Sequence, residues 1–281
     1  MNAPLNTPPT PPSPSPSPTP AALSARTVLI TGASRGIGAA TALRAAQQGW
    51  DVVVNYTRDA AAAQAVAAQV LAAGRRACVL QADVADEAAV MAMFAALDRA
   101  VAAGEIGPLR GLVNNAGVVD VAARVVDSSV ARWQRMFNVN VIGSMLCARE
   151  AVRRLSTAPS AGGVAGPGGS IVNLSSAAAR LGSPGQYVDY AAAKAAIDVF
   201  TLGLAREVAA EGIRVNAVRP GIIDTDIHAS GGQPGRAAQL APQVPMQRPG
   251  TADECAAAIV WLLSDEASYT TGSVLDVTGG R

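Results

Sequence analysis

The chain has almost no lysine. Of its 22 basic residues, 21 are Arg and one is Lys, at position 194. Such a lysine is either chance or a site where an ammonium is required and a guanidinium is not. Histidine is as scarce, with His228 the single copy, which removes most histidine-based catalysis. Cysteine is limited to Cys78, Cys147 and Cys255, an odd number with no C-x-x-C spacing. That excludes a disulfide framework and a thiolate zinc site, leaves no metal expected, and fits a reducing cytoplasm. A net charge of +1 lacks the basic excess of a nucleic-acid binder. No apolar run of about 18 residues is free of strongly polar side chains, so no membrane span is expected. No basic stretch followed by an apolar one opens the chain, so no secretory signal is expected either.

What is present divides sharply. Nine of the 18 prolines fall between positions 4 and 20, among Ser, Thr and Ala. Such a segment cannot bury enough apolar surface to offset its ordering entropy, so residues 1–25 are expected to be a disordered tail. The remaining residues, 26–281, suffice for one large α/β domain. Short β-branched runs (27–31, 51–56, 76–81, 111–114, 170–174, 213–219 and 273–277) alternate with longer Ala-rich stretches near 36–48, 59–73, 86–102 and 128–155. This alternation predicts βαβ units and a parallel sheet. Continuous apolar strands such as Val52–Val54 suit a sheet covered on both faces. The Gly/Pro/Ser-rich stretch 156–169 reads as a surface loop. Residues 222–250 show no sustained helical period and read as a lid or binding loop.

The first strand runs into Thr31-Gly32-Ala33-Ser34-Arg35-Gly36-Ile37-Gly38, followed by a helical pattern. Glycines allow a tight turn and close approach of backbone to a pyrophosphate, and the helix N-terminus offers free N–H groups and a positive dipole end. Tyr190 and Lys194 stand four apart, which on a helix places both on one face. An ammonium beside a phenol favours phenolate and makes the tyrosine a usable acid/base at neutral pH. Tyr187, the rival phenol, has Ala191 four residues on and lacks the ammonium.

Taken in order, these motifs resemble the classical short-chain dehydrogenase/reductase family over essentially all of 26–281. The loop resembles the family's T-G-x-x-x-G-x-G. Asn114-Asn115-Ala116-Gly117 resembles its N-N-A-G motif, and Tyr190-Ala-Ala-Ala-Lys194 its Y-x-x-x-K signature. Among members, bacterial 3-oxoacyl-carrier-protein reductases and glucose-dehydrogenase-like enzymes are most similar. The resemblance implies a doubly wound Rossmann fold with a seven-stranded parallel sheet and helices on both faces. It implies a catalytic set of Asn140, Ser176, Tyr190 and Lys194, with Asn140 interrupting its helix and a helix cap the bland alternative. Ser175 remains open beside Ser176. Ser176 lies 14 residues before Tyr190, one more than the family's usual spacing; the extra residue is assigned to the loop 182–188.

By the same resemblance, the cofactor is held by Gly32, Ser34, Arg35, Gly36, Ile37 and Gly38. Further contacts are expected from Tyr56, Arg58, Asp83, Val84, Asn115, Ala116, Gly117, Pro220, Gly221, Ile223 and Thr225, besides Tyr190 and Lys194. An acid at the end of the second strand would take a ribose 2′-hydroxyl, but Tyr56 stands there. Arg35 and Arg58 could instead reach a 2′-phosphate, and Asp59 is expected to cap the next helix, so NADP(H) is favoured over NAD(H). The expected reaction is hydride transfer to or from a small carbonyl or secondary alcohol. A catalytically silent NADP(H) sensor on the same fold is the alternative, disfavoured by the retained tyrosine and lysine. His228, Met246, Gln247 and Arg248 are candidates to border the substrate. A cytoplasmic homotetramer is expected, without nucleic-acid or membrane partners.

Overall fold

The computed structural model describes residues 26–158, 164–225 and 231–281. The proline-rich segment 1–25 and His228 lie outside the described residues. Four strands alternate with three helices in the first half: β1 (Thr27–Ile30), α1 (Gly36–Gln47), β2 (Asp51–Tyr56), α2 (Ala60–Ala72), β3 (Ala77–Gln81), α3 (Glu87–Ala102) and β4 (Leu109–Asn114). There follow α4 (Val130–Phe137), α5 (Gly143–Leu155), β5 (Gly169–Leu174), α6 (Ala178–Leu181), α7 (Val188–Val208) and β6 (Ile213–Pro220). Helices α8 (Arg236–Leu240) and α9 (Ala252–Leu263) precede β7 (Val274–Val277).

All the pairings are parallel, in the order β3-β2-β1-β4-β5-β6-β7. The alternation of strand side chains sorts the core into two layers. Val28, Ile30, Val52 and Val54 pack against α1, α2 and α9. Their neighbours Leu29, Val53, Leu112 and Ile171 pack against α3, α5 and α7 on the opposite face. This is the parallel sheet that the alternating pattern predicts and the doubly wound Rossmann architecture that the resemblance implies. The order reverses at β1/β4, and ligands of such sheets settle beyond the strand C-termini at that crevice.

Local chemistry sets several boundaries. Asp59 and Asp86 cap α2 and α3 through Ala62 N–H and Ala89 N–H, so Asp59 takes the capping role expected of it. Thr251 and Glu254 form a reciprocal capping box on α9. The helical stretch 128–155 is interrupted at Asn140, as the resemblance implied: a π-helical turn, Asn138–Ile142, joins α4 to α5. The stretch 222–250 holds α8 and a 3-10 turn, Ala241–Gln243. Both are too short to give a sustained helical period.

Candidate active site

The loop after β1 is held in shape by two asparagines. Gly32 and Gly36 have φ of +61° and +56°, a region costly to side chains. Asn55, buried at the end of β2, accepts the Gly32 N–H at 3.1 Å. Asn115, just beyond β4, donates its side-chain amide to the carbonyls of Thr31 and Gly32 at 2.8 and 2.9 Å. A Cβ on Gly38 would stand 2.5 Å from that same amide nitrogen, so only glycine fits. The first turn of α1 carries no acidic residue, and Arg35 gives no side-chain cap. Its backbone donors and positive dipole end therefore remain available to an anion. This cradle fits the diphosphate of a dinucleotide.

Ser34 is half-buried and Arg35 exposed on the same loop; across the sheet Tyr56 is half-buried and Arg58 exposed. Asp83 is exposed and accepts the Ala85 N–H at 3.0 Å, while Val84 is buried beneath Gly143. Ala116 donates its N–H to the Thr31 hydroxyl at 3.0 Å, tying the loops after β1 and β4 together.

One cleft beyond β4, β5 and β6 brings Ile37, Asn115, Gly117, Asn140, Ser175, Ser176, Tyr190, Lys194, Pro220, Gly221, Ile223 and Thr225 together. Lys194 is only 4% exposed, and its Nζ donates to the Leu174 carbonyl at 2.7 Å. Burial pulls its pKa down to about 8, partly opposed by the Asp198 carboxylate. The Nζ lies 5.7 Å from the Tyr190 ring centroid. Loss of solvent pushes the Tyr190 phenol above its ordinary value, and a hydrogen bond with Ser176 pulls the other way. At the phenol, desolvation outweighs the hydrogen bond. Burial thus favours the protonated phenol.

The two serines are distinguishable. Ser175 is buried and donates its hydroxyl to the Lys194 carbonyl at 3.1 Å. Ser176 faces Tyr190 and accepts the Ala178 N–H at 3.2 Å. Asn140 sits fully buried in the π-helical turn. Its amide donates to the carbonyls of Val118 and Met136 at 3.0 and 2.9 Å, and its Oδ1 accepts the Val118 N–H at 3.2 Å. It interrupts its helix and pins the turn after Gly117, and it is no helix cap. A Cβ on Gly117 would lie 2.8 Å from Asn140 Oδ1 and 3.5 Å from Lys194 Nζ.

Among the other residues expected near the substrate, Met246, Gln247 and Arg248 do not line this cleft. Arg248 forms a two-pronged pair with Glu254 at 2.6 and 2.9 Å, so its charge is spent at the start of α9. The cleft wall is built instead from Val119, Leu181, Tyr187, Ile222, Arg236 and Arg281. Neither of these two arginines carries a local sequence signal: their place depends on how 222–250 and the C-terminal segment fold back. Arg132 is a third residue without a motif. It grips Asp189, next to Tyr190, at 2.6 and 3.2 Å, with both side chains nearly buried.

A family described as enoyl-(acyl carrier protein) reductase matches residues 32–281. An uncharacterized oxidoreductase of Escherichia coli is 54% identical over 90% of this chain and 98% of its own length. A 3-oxoacyl-[acyl-carrier-protein] reductase of a Synechocystis strain is 38% identical over 92% of this chain and 98% of its own. The crystal structure of a short-chain dehydrogenase from Burkholderia cenocepacia in complex with NADP is 37% identical. It superposes with a TM-score of 0.79 over 92% of this chain and 98% of the other. With this fold and cleft, the chain belongs to the short-chain dehydrogenase/reductase family of oxidoreductases.

Proposed function

We propose that this protein is an NADP(H)-preferring oxidoreductase acting on a carbonyl/secondary-alcohol pair. The convergence of Ser176, Tyr190 and buried Lys194 in one cleft beside the glycine loop carries the reading. Gly32, Ser34, Arg35, Gly36, Ile37 and Gly38 would hold the diphosphate. Arg35 and Arg58 would meet the 2′-phosphate, and Asp83 and Val84 the adenine. Asn115, Ala116, Gly117, Pro220, Gly221, Ile223, Thr225 and Lys194 would hold the nicotinamide end. The nicotinamide, when bound, supplies or takes up the hydride. The Ser176 hydroxyl holds the substrate oxygen, and the Tyr190 phenol gives that oxygen a proton. Lys194 supplies the fixed positive charge beside the phenol as it becomes phenolate. Asn140 keeps the turn after β4 in place.

A protonated phenol is the form that carbonyl reduction needs. The relative named as an acyl-carrier-protein reductase supports that direction, and the NADP bound to the Burkholderia protein supports the cofactor. Retention of both Tyr190 and Lys194 in an open cleft counts against a silent sensor. Residues 26–281 act as one catalytic domain in a cytoplasmic homotetramer.

The test is a carbonyl-substrate scan with NADPH and NADH on the wild type and Tyr190→Phe. Tyr190→Phe should lower kcat by about two orders of magnitude or more, with NADPH binding nearly intact. KM for NADPH should lie well below that for NADH. Equal values would remove Arg35 and Arg58 from the cofactor assignment, and full turnover by Tyr190→Phe would end the mechanism.

A further inference from the structure

Three cations line the cleft: Lys194, Arg236 and Arg281. Among the described residues no Asp or Glu lines it. Lys194 is accounted for by the proton-transfer site, whereas Arg236 is not. Its guanidinium stacks over the Tyr187 ring, 5.2 Å from the centroid. It donates to Gln186 Oε1 at 2.6 Å and to the Gln233 side-chain carbonyl. Both acceptors are neutral amides. Elsewhere in the structure arginines are commonly matched to carboxylates, as Arg132 is to Asp189, Arg154 to Asp98 and Arg248 to Glu254. An aromatic face and two amide oxygens fix a guanidinium in place without cancelling its charge. Gln186 and Tyr187 belong to the turn preceding α7. Arg236 starts α8 and packs on that turn.

We propose that the substrate is an organic oxyanion, a carbonyl compound whose carboxylate is bound by Arg236. Arg281 also lines the cleft, and Val119, Leu181 and Ile222 offer apolar contact to the carbon frame. A planar fork of N–H donors suits a carboxylate better than a point charge does. The inference rests on the carbonyl-reductase reading and narrows its substrate class.

The experiment compares two keto acids, levulinate and benzoylformate, each with its methyl ester, and dihydroxyacetone phosphate with dihydroxyacetone. Wild type, Arg236→Gln, Arg236→Lys and Arg99→Gln are assayed, Arg99 being an exposed arginine remote from the cleft. The acids should exceed their esters in kcat/KM, and Arg236→Gln should cut that preference about 30-fold, the scale of a charged hydrogen bond. Arg236→Lys should fall between, and Arg99→Gln should match the wild type. A preference confined to the phosphate pair would replace carboxylate by phosphate and overturn the proposal as stated. Esters matching acids, or Arg236→Gln affecting both alike, would overturn it as well. Calorimetry of acids and esters on NADPH-loaded protein reads binding without turnover. Arg236-dependent acid binding with no carbonyl reduced would sink the reductase reading and keep the anion subsite. Reduction of neutral carbonyls with no acid binding would do the reverse.

Discussion

At the scale of single residues, Lys194 carries a conflict between stability and chemistry. Its ammonium has been taken out of water for one carbonyl hydrogen bond at 2.7 Å and the remote pull of Asp198. A buried charge with so little compensation costs stability. Lys194→Met should therefore raise the melting temperature of the cofactor-free protein near neutral pH while abolishing turnover. Below about pH 8 the lysine is charged in both folded and unfolded chains, and the full penalty applies. Above that value the folded form sheds its proton first, so wild-type stability rises with pH up to the ordinary lysine range. The advantage of Lys194→Met should shrink across that window, and melting curves across it test this. A pH-independent gap would contradict it. Lys194→Arg is a separate prediction: the charge is kept, but a bulkier planar guanidinium does not reproduce the compact ammonium beside the phenol. The expected loss in kcat is about 100-fold, with the circular dichroism unchanged.

At the scale of elements, the start of α7 is held by its neighbour α4. Arg132 bridges to Asp189 with two prongs and also donates to the Val121 carbonyl at 2.5 Å. Asp189 in turn accepts the Tyr190 N–H at 3.0 Å. Arg132→Met would leave the Asp189 carboxylate buried and unpaired, a change that costs about 3–5 kcal/mol. Denaturant unfolding should show that loss, and Arg132→Met with Asp189→Leu should recover much of it. If the single variant unfolds like the wild type, the pair contributes only surface electrostatics. The sequence made the strands legible because each is an apolar run of a length and composition that helices do not share. The glycine loop and the tyrosine–lysine pair were legible because their spacing is itself the chemistry. The Arg132–Asp189 bridge spans 57 positions, and the Arg236–Gln186 contact 50. No periodicity reports such distances. The raised phenol pKa was hidden for a related reason: it depends on how deeply the cleft excludes water, which two residues four apart do not reveal.

At the scale of the whole molecule, one flank stays conspicuously apolar. Val130, Phe137, Ile142 and Met145 are exposed along α4, the π-helical turn and α5, as are Val199 and Leu202 on α7. Scattered apolar side chains on a surface are ordinary, but clustering on helices that touch one another marks an association face. Val199 is 72% exposed. Val199→Glu should lower the sedimentation mass from the expected tetramer without changing the circular dichroism. A wild-type monomer at micromolar concentration would refute the assembly. Deleting residues 2–23 should leave melting temperature and kcat/KM unchanged, since that segment lacks core-forming residues; a large fall in either would show that it docks.

The asparagine clamps on the glycine loop have a thermodynamic consequence. Asn55 and Asn115 already fix the backbone that a dinucleotide must meet, so little conformational entropy remains to be lost there on binding. Affinity then reflects the contacts made rather than the order imposed. The encounter is closer to insertion into a finished mould than to folding around a guest. On the proposed cofactor assignment, a different nucleotide preference would need changes at Arg35 and Arg58 on the rim, with the mould left untouched.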